Sequence, residues 1–404
     1  MKAVVWHGEG DIRLDEIPEP VLQEPTDAII RLTASAICGT DLHFVRGTFS
    51  GMVPGTVLGH EGVGVVEQVG HEVRNFAPGD RVVVCSTIAC GVCGYCRRGY
   101  FAQCDKSNPN GPDAGTSFFG GPKDTGPVNG LQAERARIPF AATTLVRLPD
   151  GISDDQAILV SDIFPTGWYG AILAEVKTGD TVAVFGCGPV GQFAIASAIL
   201  QGATRVIAVD SHPDRLAMAR RQGAFPVNFD EEDPVAAIKQ LTGGTGADRA
   251  IDAVGVDAQH AHHGPAGEAA KQQESQNQAE VAKLVPHPHS HAGNWVPGDA
   301  PGQVLEWAIA ALAKAGTLGI IGVYPPTATS FPIGELMNKN LSLNAGNCNH
   351  RAYIPALIEL VRAGTFDPCA IITQQEHLTD AIEAYEAFDK REAGWVKTVL
   401  QPAS

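Results

Sequence analysis

TVAVFGCGPVG occupies residues 181–191, where strand-type residues run into Gly186, Gly188 and Gly191 at G-x-G-x-x-G spacing. A short apolar run of this kind reads as a buried strand. The residues that follow, QFAIASAILQ (192–201), read as an apolar helix ending at Gly202. Isolated, the glycine pattern is a weak signal; strand before and helix after is the context that gives it meaning. The glycines permit a tight turn and let the backbone approach a pyrophosphate, which the free N–H groups of the helix N-terminus then receive. Pro189 and Val190 lie in the same turn and count with the cofactor-binding residues. RVIAVD (205–210) reads as the next strand and ends on Asp210. A carboxylate there accepts both ribose hydroxyls and repels a 2′-phosphate, which favours NAD over NADP. Arg215 lies close in sequence and softens that preference. The competing reading of Asp210, a cap for the following helix, is the weaker one beside the glycines.

Working outward, HPDRLAMARRQGA (212–224) reads as a helix, and ADRAIDAVG (247–255) and GTLGIIGVY (316–324) as further strands. Strands alternating with helices make βαβ units and a doubly wound parallel sheet of the Rossmann type. The first third differs: short β-type runs (28–32, 62–69, 81–84) are broken by Gly and Pro, with the turn APGD at 77–80. That pattern predicts an irregular, mostly antiparallel β domain. Together they place the chain in the α/β class. Residues 257–301, rich in His, Gln, Ala and Pro, read as an insertion that leaves the sheet, partly helical and exposed. VLEWAIAALAKAG (304–316), YIPALIELVRAG (353–364) and LTDAIEAYEAF (378–388) read as helices, and WVKTVL (395–400) as a last strand.

At 404 residues the chain is long for one core, so two domains are expected. A formal charge of −16 repels phosphate backbones and argues against a nucleic-acid partner. No apolar run is long enough for a membrane span. The first ten residues lack a basic segment followed by an apolar stretch, so a cytoplasmic location is expected. Of nine cysteines, four crowd into residues 90–104, and such density reads as metal binding before disulfides.

Cys90, Cys93, Cys96 and Cys104 follow C-x2-C-x2-C-x7-C. Four thiolates on one loop complete a tetrahedral zinc and leave no position for substrate, so this site is structural. A second set is dispersed: Cys38 in CGTDLH (38–43), and His60 with Glu61 in GHE (59–61). Cys and His suit zinc, and an open fourth position makes such a site catalytic. Singly, Cys38 reads as well as a buried thiol and His60 as a core histidine.

CGTDLH, GHE, the four-cysteine loop and the glycine turn, in that order, resemble the zinc-containing medium-chain alcohol dehydrogenases along essentially the whole chain. VSDIFPTGWYG (160–170) and AIDAVG (250–255) look most like the glutathione-independent formaldehyde dehydrogenase branch. The resemblance implies a discontinuous GroES-like catalytic domain, residues 1–163 and 345–404, around an NAD-binding Rossmann domain, residues 164–344. It implies two zinc ions per subunit, one catalytic and one structural, with NAD, and a homodimer or homotetramer. Cys38 and His60 match the first two catalytic ligands, and Asp162 takes the third place, where many members have Cys. Carboxylate is an acceptable zinc ligand, and Cys, His and Asp neutralise a divalent ion as well as Cys, His and Cys do. Glu61 matches the acid beside the metal, Thr40 the hydroxyl that touches substrate oxygen, and His43 the end of a proton relay. Asp41 matches the carboxylate that orients His60. Thr166 matches a cofactor contact.

The implied activity is hydride transfer between NAD and a small alcohol or hydrated aldehyde. Its rivals are a dismutase with tightly held NAD, a zinc-free reductase, which the cysteines and His60 oppose, and a non-enzymatic zinc-loop binding protein, which the charge and the glycines oppose. Residues 107–130, with residues near Phe164 and Trp168, are expected to shape the pocket. His350 or Arg351, in GNCNHRAY (346–353), is a candidate pyrophosphate contact. The clusters His260, His262, His263 and His287, His289, His291 read as solvated surface, although His-rich tracts also bind metal. Cys187 reads as packing, and Cys85, Cys348 and Cys369 carry no motif.

Overall fold

Glycine- and proline-broken β runs in the first third pair with neighbours and with the C-terminal strand, and an α/β mixture results. The computed structural model describes residues 1–111, 113–286 and 293–402. They fall into two units. The first holds Met1–Pro165, His289–Val296 and Asn347–Ser404; the second holds Thr166–Pro288 and Pro297–Gly346.

In the first unit, a sheet runs in the order Gln374–His377, Thr398–Gln401, Ala28–Ala36, Gly62–Val69, Arg81–Val84, Leu145–Arg147, with Arg135–Ile138 also on Ala28–Ala36. All its pairs are antiparallel except Gln374–His377 with Thr398–Gln401. A smaller antiparallel sheet sets Lys2–Gly8 between Asp11–Glu16 and Thr56–Val57. Helix Asp154–Ser161 starts on a reciprocal cap: Gln156 N–H donates to Ser153 Oγ, and Ser153 N–H donates to the Gln156 side chain. Its last residue is tied down, since Ser161 Oγ donates to Val84 O (2.7 Å) and accepts from Gly62 N–H (3.0 Å). That bridge sets the next residue, Asp162, beside the strand that begins just after His60 and Glu61.

In the second unit, six strands lie in the order Phe225–Asn228, Arg205–Asp210, Thr181–Phe185, Ala247–Asp252, Leu312–Ile320, Ser342–Ala345, all parallel. Numbered along the chain this order is 3-2-1-4-5-6, that of a dinucleotide-binding doubly wound sheet. Helix Pro189–Leu200 follows the first strand, with Gly188 as cap and Pro189 opening its first turn. It is apolar nearly all round, and Phe193, Ala194, Ile195 and Ala198 are fully buried, as a helix packed on a sheet and covered by neighbours requires.

Among its described residues the insertion contains one helix, Gly264–Leu284, largely polar. The expectation that the insertion is exposed does not hold throughout. Trp295 is buried in the first unit's core with Trp6, Phe44 and Tyr385, because its N–H donates to the buried Asp389 carboxylate (2.6 Å), which also pairs with Arg46 (2.7 Å). His262 and His263 are exposed, and His260 pairs with Asp299 at 2.6 Å. His287, His289 and His291 lie outside the described residues. Among the described residues no helix is long and apolar enough to cross a membrane.

Candidate metal and cofactor sites

The loop of residues 90–104 folds its four thiols together: one donor atom from each of Cys90, Cys93, Cys96 and Cys104 lies within 4.8 Å of the others. None of the cysteines is in a disulfide. Backbone N–H groups point at sulfur, from Cys90 to Cys104 Sγ (3.2 Å), Val92 to Cys90 Sγ (3.4 Å) and Cys96 to Cys93 Sγ (3.5 Å). Such donors stabilise thiolates around a metal. Burial raises the Cys93 thiol, but the backbone N–H groups of Cys96 and Asp105 outweigh it and bring it down to about 7.

The second donor group is gathered from distant segments. Cys38 caps helix Gly39–Val45, and its N–H donates to the Asp41 carboxylate (3.0 Å). His60 follows Gly59, whose φ of +91° and crowding against Gln132 admit no side chain. Ser35 Oγ holds the Glu61 carbonyl (3.0 Å). Cys38, His60, Glu61 and Asp162 are all buried, with one donor atom each within 4.8 Å of the rest. Asp162 Oδ2 lies 3.7 Å from Cys38 Sγ and 3.3 Å from His60 Nε2. Tetrahedral zinc, with bonds of about 2.1 Å to N or O and about 2.3 Å to S, separates its donors by about 3.4–3.6 Å. The donor chemistry and spacing therefore fit a catalytic zinc, and the four-cysteine loop fits a structural one.

Around these donors lies a second ring of contacts. Asp41 Oδ1 stands 3.2 Å from His60 Nδ1, while its Oδ2 accepts from Gln132 (3.3 Å), whose amide oxygen accepts from Tyr385 (2.8 Å). Burial disfavours the His60 cation, yet Asp41 and Asp162 outweigh this and raise its pKa well above the usual range. Burial likewise pushes the Asp162 carboxyl up, but hydrogen bonds from His350 and His60 hold it well below the usual carboxylate range. Lys397 Nζ donates to Glu61 Oε1 (2.5 Å) and Ile37 O (3.0 Å), with both charged side chains fully buried. Burial lifts the Glu61 carboxyl to about 7, against the pull of Lys397. Thr40 Oγ1 is 4.0 Å from Cys38 Sγ. His43 is 3% exposed, so a relay ending on it stops short of bulk water. Phe118, in the 107–130 segment, stacks on Phe44 (6.0 Å) and meets the His60 ring edge-on (6.3 Å).

One expectation changes. His350 is no pyrophosphate contact: both ring nitrogens are engaged, Nε2 2.7 Å from Oδ1 of the donor Asp162 and Nδ1 3.1 Å from Thr87 Oγ1. Phe164 is fully buried against Phe366 (5.3 Å) and serves the core. The parts of the site that sequence reading missed are the roles of His350, Lys397, Gln132 and Tyr385. No local motif marks them.

In the second unit, Gly186 has φ +87°, and a side chain on Gly191 would run into the Gly186 carbonyl. A Cβ on Gly188 would meet only Arg215 Nη1, at 3.9 Å, so the turn leaves open the space a pyrophosphate needs. Asp210 Oδ2 accepts from Cys187 N–H (2.7 Å) and Oδ1 from Ser211 and His212 N–H (2.8 and 2.9 Å). The cap of the next helix is His212, not Asp210. Burial raises the Asp210 carboxyl, but Arg215 and the N–H groups of His212 and Cys187 hold it below its usual value. Cys187 is fully buried in the core. Thr166 sits half-buried in helix Ile163–Leu173.

One chain that carries a doubly wound sheet with an open glycine cradle and two zinc-type donor sets has the makings of a metal-dependent dehydrogenase. Comparison with known proteins agrees. Residues 24–150 match the family "Alcohol dehydrogenase GroES-like domain" and residues 189–262 match "Zinc-binding dehydrogenase". A zinc-type alcohol dehydrogenase-like protein of Bacillus subtilis, AdhB, is 37% identical over 406 residues, covering 100% of both chains. The glutathione-independent formaldehyde dehydrogenase of Pseudomonas aeruginosa is 38% identical over 280 residues, 66% of this chain and 69% of that one. The solved alcohol dehydrogenase TADH from Thermus sp. ATN1 superposes with a TM-score of 0.81 at 32% identity, covering 100% of both chains. The chain belongs to the zinc-containing medium-chain alcohol dehydrogenase family and is an oxidoreductase.

Proposed function

We propose that this protein transfers a hydride between NAD and a small alcohol or hydrated aldehyde. The observation that carries the reading is the buried Cys38, His60 and Asp162 donor set, spaced as a zinc requires. Bound there, zinc supplies Lewis acidity toward a substrate oxygen, and NAD supplies the hydride acceptor.

The chain's residues do the rest. The substrate loses a hydride from carbon and a proton from oxygen. Thr40 accepts the proton as it gives up its own toward His43, an imidazole being a side chain that can both take and release a proton. Asp41, braced by Gln132 and Tyr385, fixes the ring of His60. Lys397 restrains Glu61, so that this acid stays beside the donors without displacing them. Gly186, Gly188, Pro189, Val190 and Gly191 cradle the pyrophosphate, Thr166 contributes to the cofactor site, and Asp210 receives the ribose. Asp210 favours NAD because its ionised carboxylate repels a 2′-phosphate, while Arg215 moderates the preference. Formaldehyde hydrate is the first substrate to try, from the likeness to the Pseudomonas aeruginosa enzyme.

Nicotinamide absorbance tests the reading, with NAD and NADP in turn, across formaldehyde, ethanol, benzyl alcohol, a secondary alcohol and a polyol. Turnover with NAD that a strong chelator abolishes is the expected result. Turnover indifferent to chelation would overturn it. Silence from protein loaded with zinc would move the reading to a dismutase that keeps its NAD bound.

A further inference from the structure

The carboxylate of Asp162 has two oxygens with different surroundings. Oδ2 faces the other donors, 3.3 Å from His60 Nε2 and 3.7 Å from Cys38 Sγ. Oδ1 faces away from them to His350 Nε2, at 2.7 Å. An ionised carboxylate only accepts hydrogen bonds, so His350 Nε2 carries the proton of this bond. His350 Nδ1 then meets Thr87 Oγ1 at 3.1 Å, and Thr87 Oγ1 also lies 3.4 Å from the Cys348 carbonyl. The backbone under the ring is held as well: Asn349, the cap of helix His350–Arg362, accepts from Ala102 N–H through Oδ1 (2.9 Å). His350 and Thr87 are both buried, so neither contact competes with bulk water.

We propose that His350, braced by Thr87, is a positioning residue for Asp162: it occupies Oδ1, so that Oδ2 alone ligates the metal and a coordination position stays open for substrate oxygen. The physical need is specific to a carboxylate in this place. A thiolate offers one donor atom. A carboxylate offers two and can close on a cation with both, filling the position that a catalytic site keeps vacant. A fixed N–H on one oxygen removes that option. Histidine ligands are usually oriented by carboxylates; here a histidine orients a carboxylate ligand. The proposal rests on the assignment of Cys38, His60 and Asp162 as ligands.

The experiment reads metal rather than turnover. Metal content is counted in the purified protein and in Cys38→Ser, and the visible spectrum of the cobalt(II) form is recorded for wild type, His350→Phe, His350→Gln and Thr87→Val. Cys38→Ser is expected to lose one of two ions. His350→Phe, which keeps the ring volume and loses the donor, is expected to bind the catalytic-site metal about 10–100-fold more weakly. Its cobalt bands should weaken toward those of higher coordination. His350→Gln, which keeps an N–H donor, should restore most of the tetrahedral spectrum, an outcome that mere packing does not explain. A wild-type spectrum and affinity in His350→Phe, with Cys38→Ser still one ion short, would overturn this inference alone. Retention of both ions by Cys38→Ser would overturn the ligand assignment beneath it. If His350→Phe does not fold, Thr87→Val decides: a shifted cobalt spectrum supports the bracing role, and an unchanged one removes it.

Discussion

The two metal-type donor sets of this protein are built in opposite ways. The structural one is a single loop, its four cysteines within residues 90–104, and the N–H groups that point at its sulfurs come from the same loop. The catalytic one draws Cys38 from a helix start, His60 from before a strand and Asp162 from a helix end, and its supporting contacts come from Gln132, His350, Tyr385 and Lys397. A loop that makes its own site depends on metal for its shape. A site assembled from a sheet, two helices and the C-terminal strand is held by the fold and depends on metal for its chemistry.

That contrast predicts opposite consequences for one chemical change. Cys38→Ser should leave the fold in place, lose one metal ion and cut turnover by about 1000-fold, because Lewis-acid stabilisation worth several kcal/mol goes with the ion. Cys96→Ser should open the loop, since metal binding and local folding are coupled there. Limited proteolysis should then cut within residues 90–104 while the catalytic-site metal is retained. Melting and metal analysis on both variants check this. A Cys38→Ser protein that melts like Cys96→Ser would break the contrast.

The same contrast sets what could be read in the sequence. The glycine turn and the four-cysteine loop were legible because their geometry is local: spacing along the chain is nearly spacing in space. Cys38, His60 and Asp162 were legible only through short motifs that recur in the family. The residues that hold them were not. Tyr385 reaches Gln132 across 253 positions, His350 reaches Asp162 across 188, and Lys397 reaches Glu61 across 336. Nothing about a lysine in WVKTVL says that it ends fully buried on a glutamate. Its placement follows from the pairing of strand Thr398–Gln401 on Ala28–Ala36, which is a property of the whole sheet. The role of His350 is hidden for the same reason, since a histidine just after the last strand of the parallel sheet in sequence resembles an anion contact until its neighbours are known.

Lys397→Met sharpens the point. It keeps the stem volume and removes the charge, leaving Glu61 buried without its partner. Breaking a buried pair in this way costs about 3–5 kcal/mol. We expect that loss in denaturant unfolding of the metal-loaded protein, with no proteolysis in the four-cysteine loop. A loss below about 1 kcal/mol would mean that Glu61 is satisfied without Lys397.

The cofactor turn stands between the two extremes, local in its glycines and dependent on one residue of the next strand. Asp210 takes hydrogen bonds from Cys187, Ser211 and His212 N–H, so it ties the turn down in addition to the ribose role proposed for it. Asp210→Asn loses an ionised acceptor, and a charged-group hydrogen bond is worth about 1.5–3 kcal/mol. The pH dependence has a definite sign. Because the folded carboxyl is held below its usual value, its contribution is fully present above the unfolded value of about 3.9 and is lost as pH falls through the folded value. The stability gap between wild type and Asp210→Asn should therefore be constant from neutrality to about pH 5 and close only below about pH 4. Taking the difference at each pH cancels the loss of zinc in acid, which both proteins share. Urea midpoints at matched pH measure it, and the same variant should narrow the NAD over NADP preference by about tenfold, the effect of roughly 1.4 kcal/mol. A gap that instead grew as the pH was lowered would mean that the carboxylate is strained in the turn, and that the glycines alone shape the cradle.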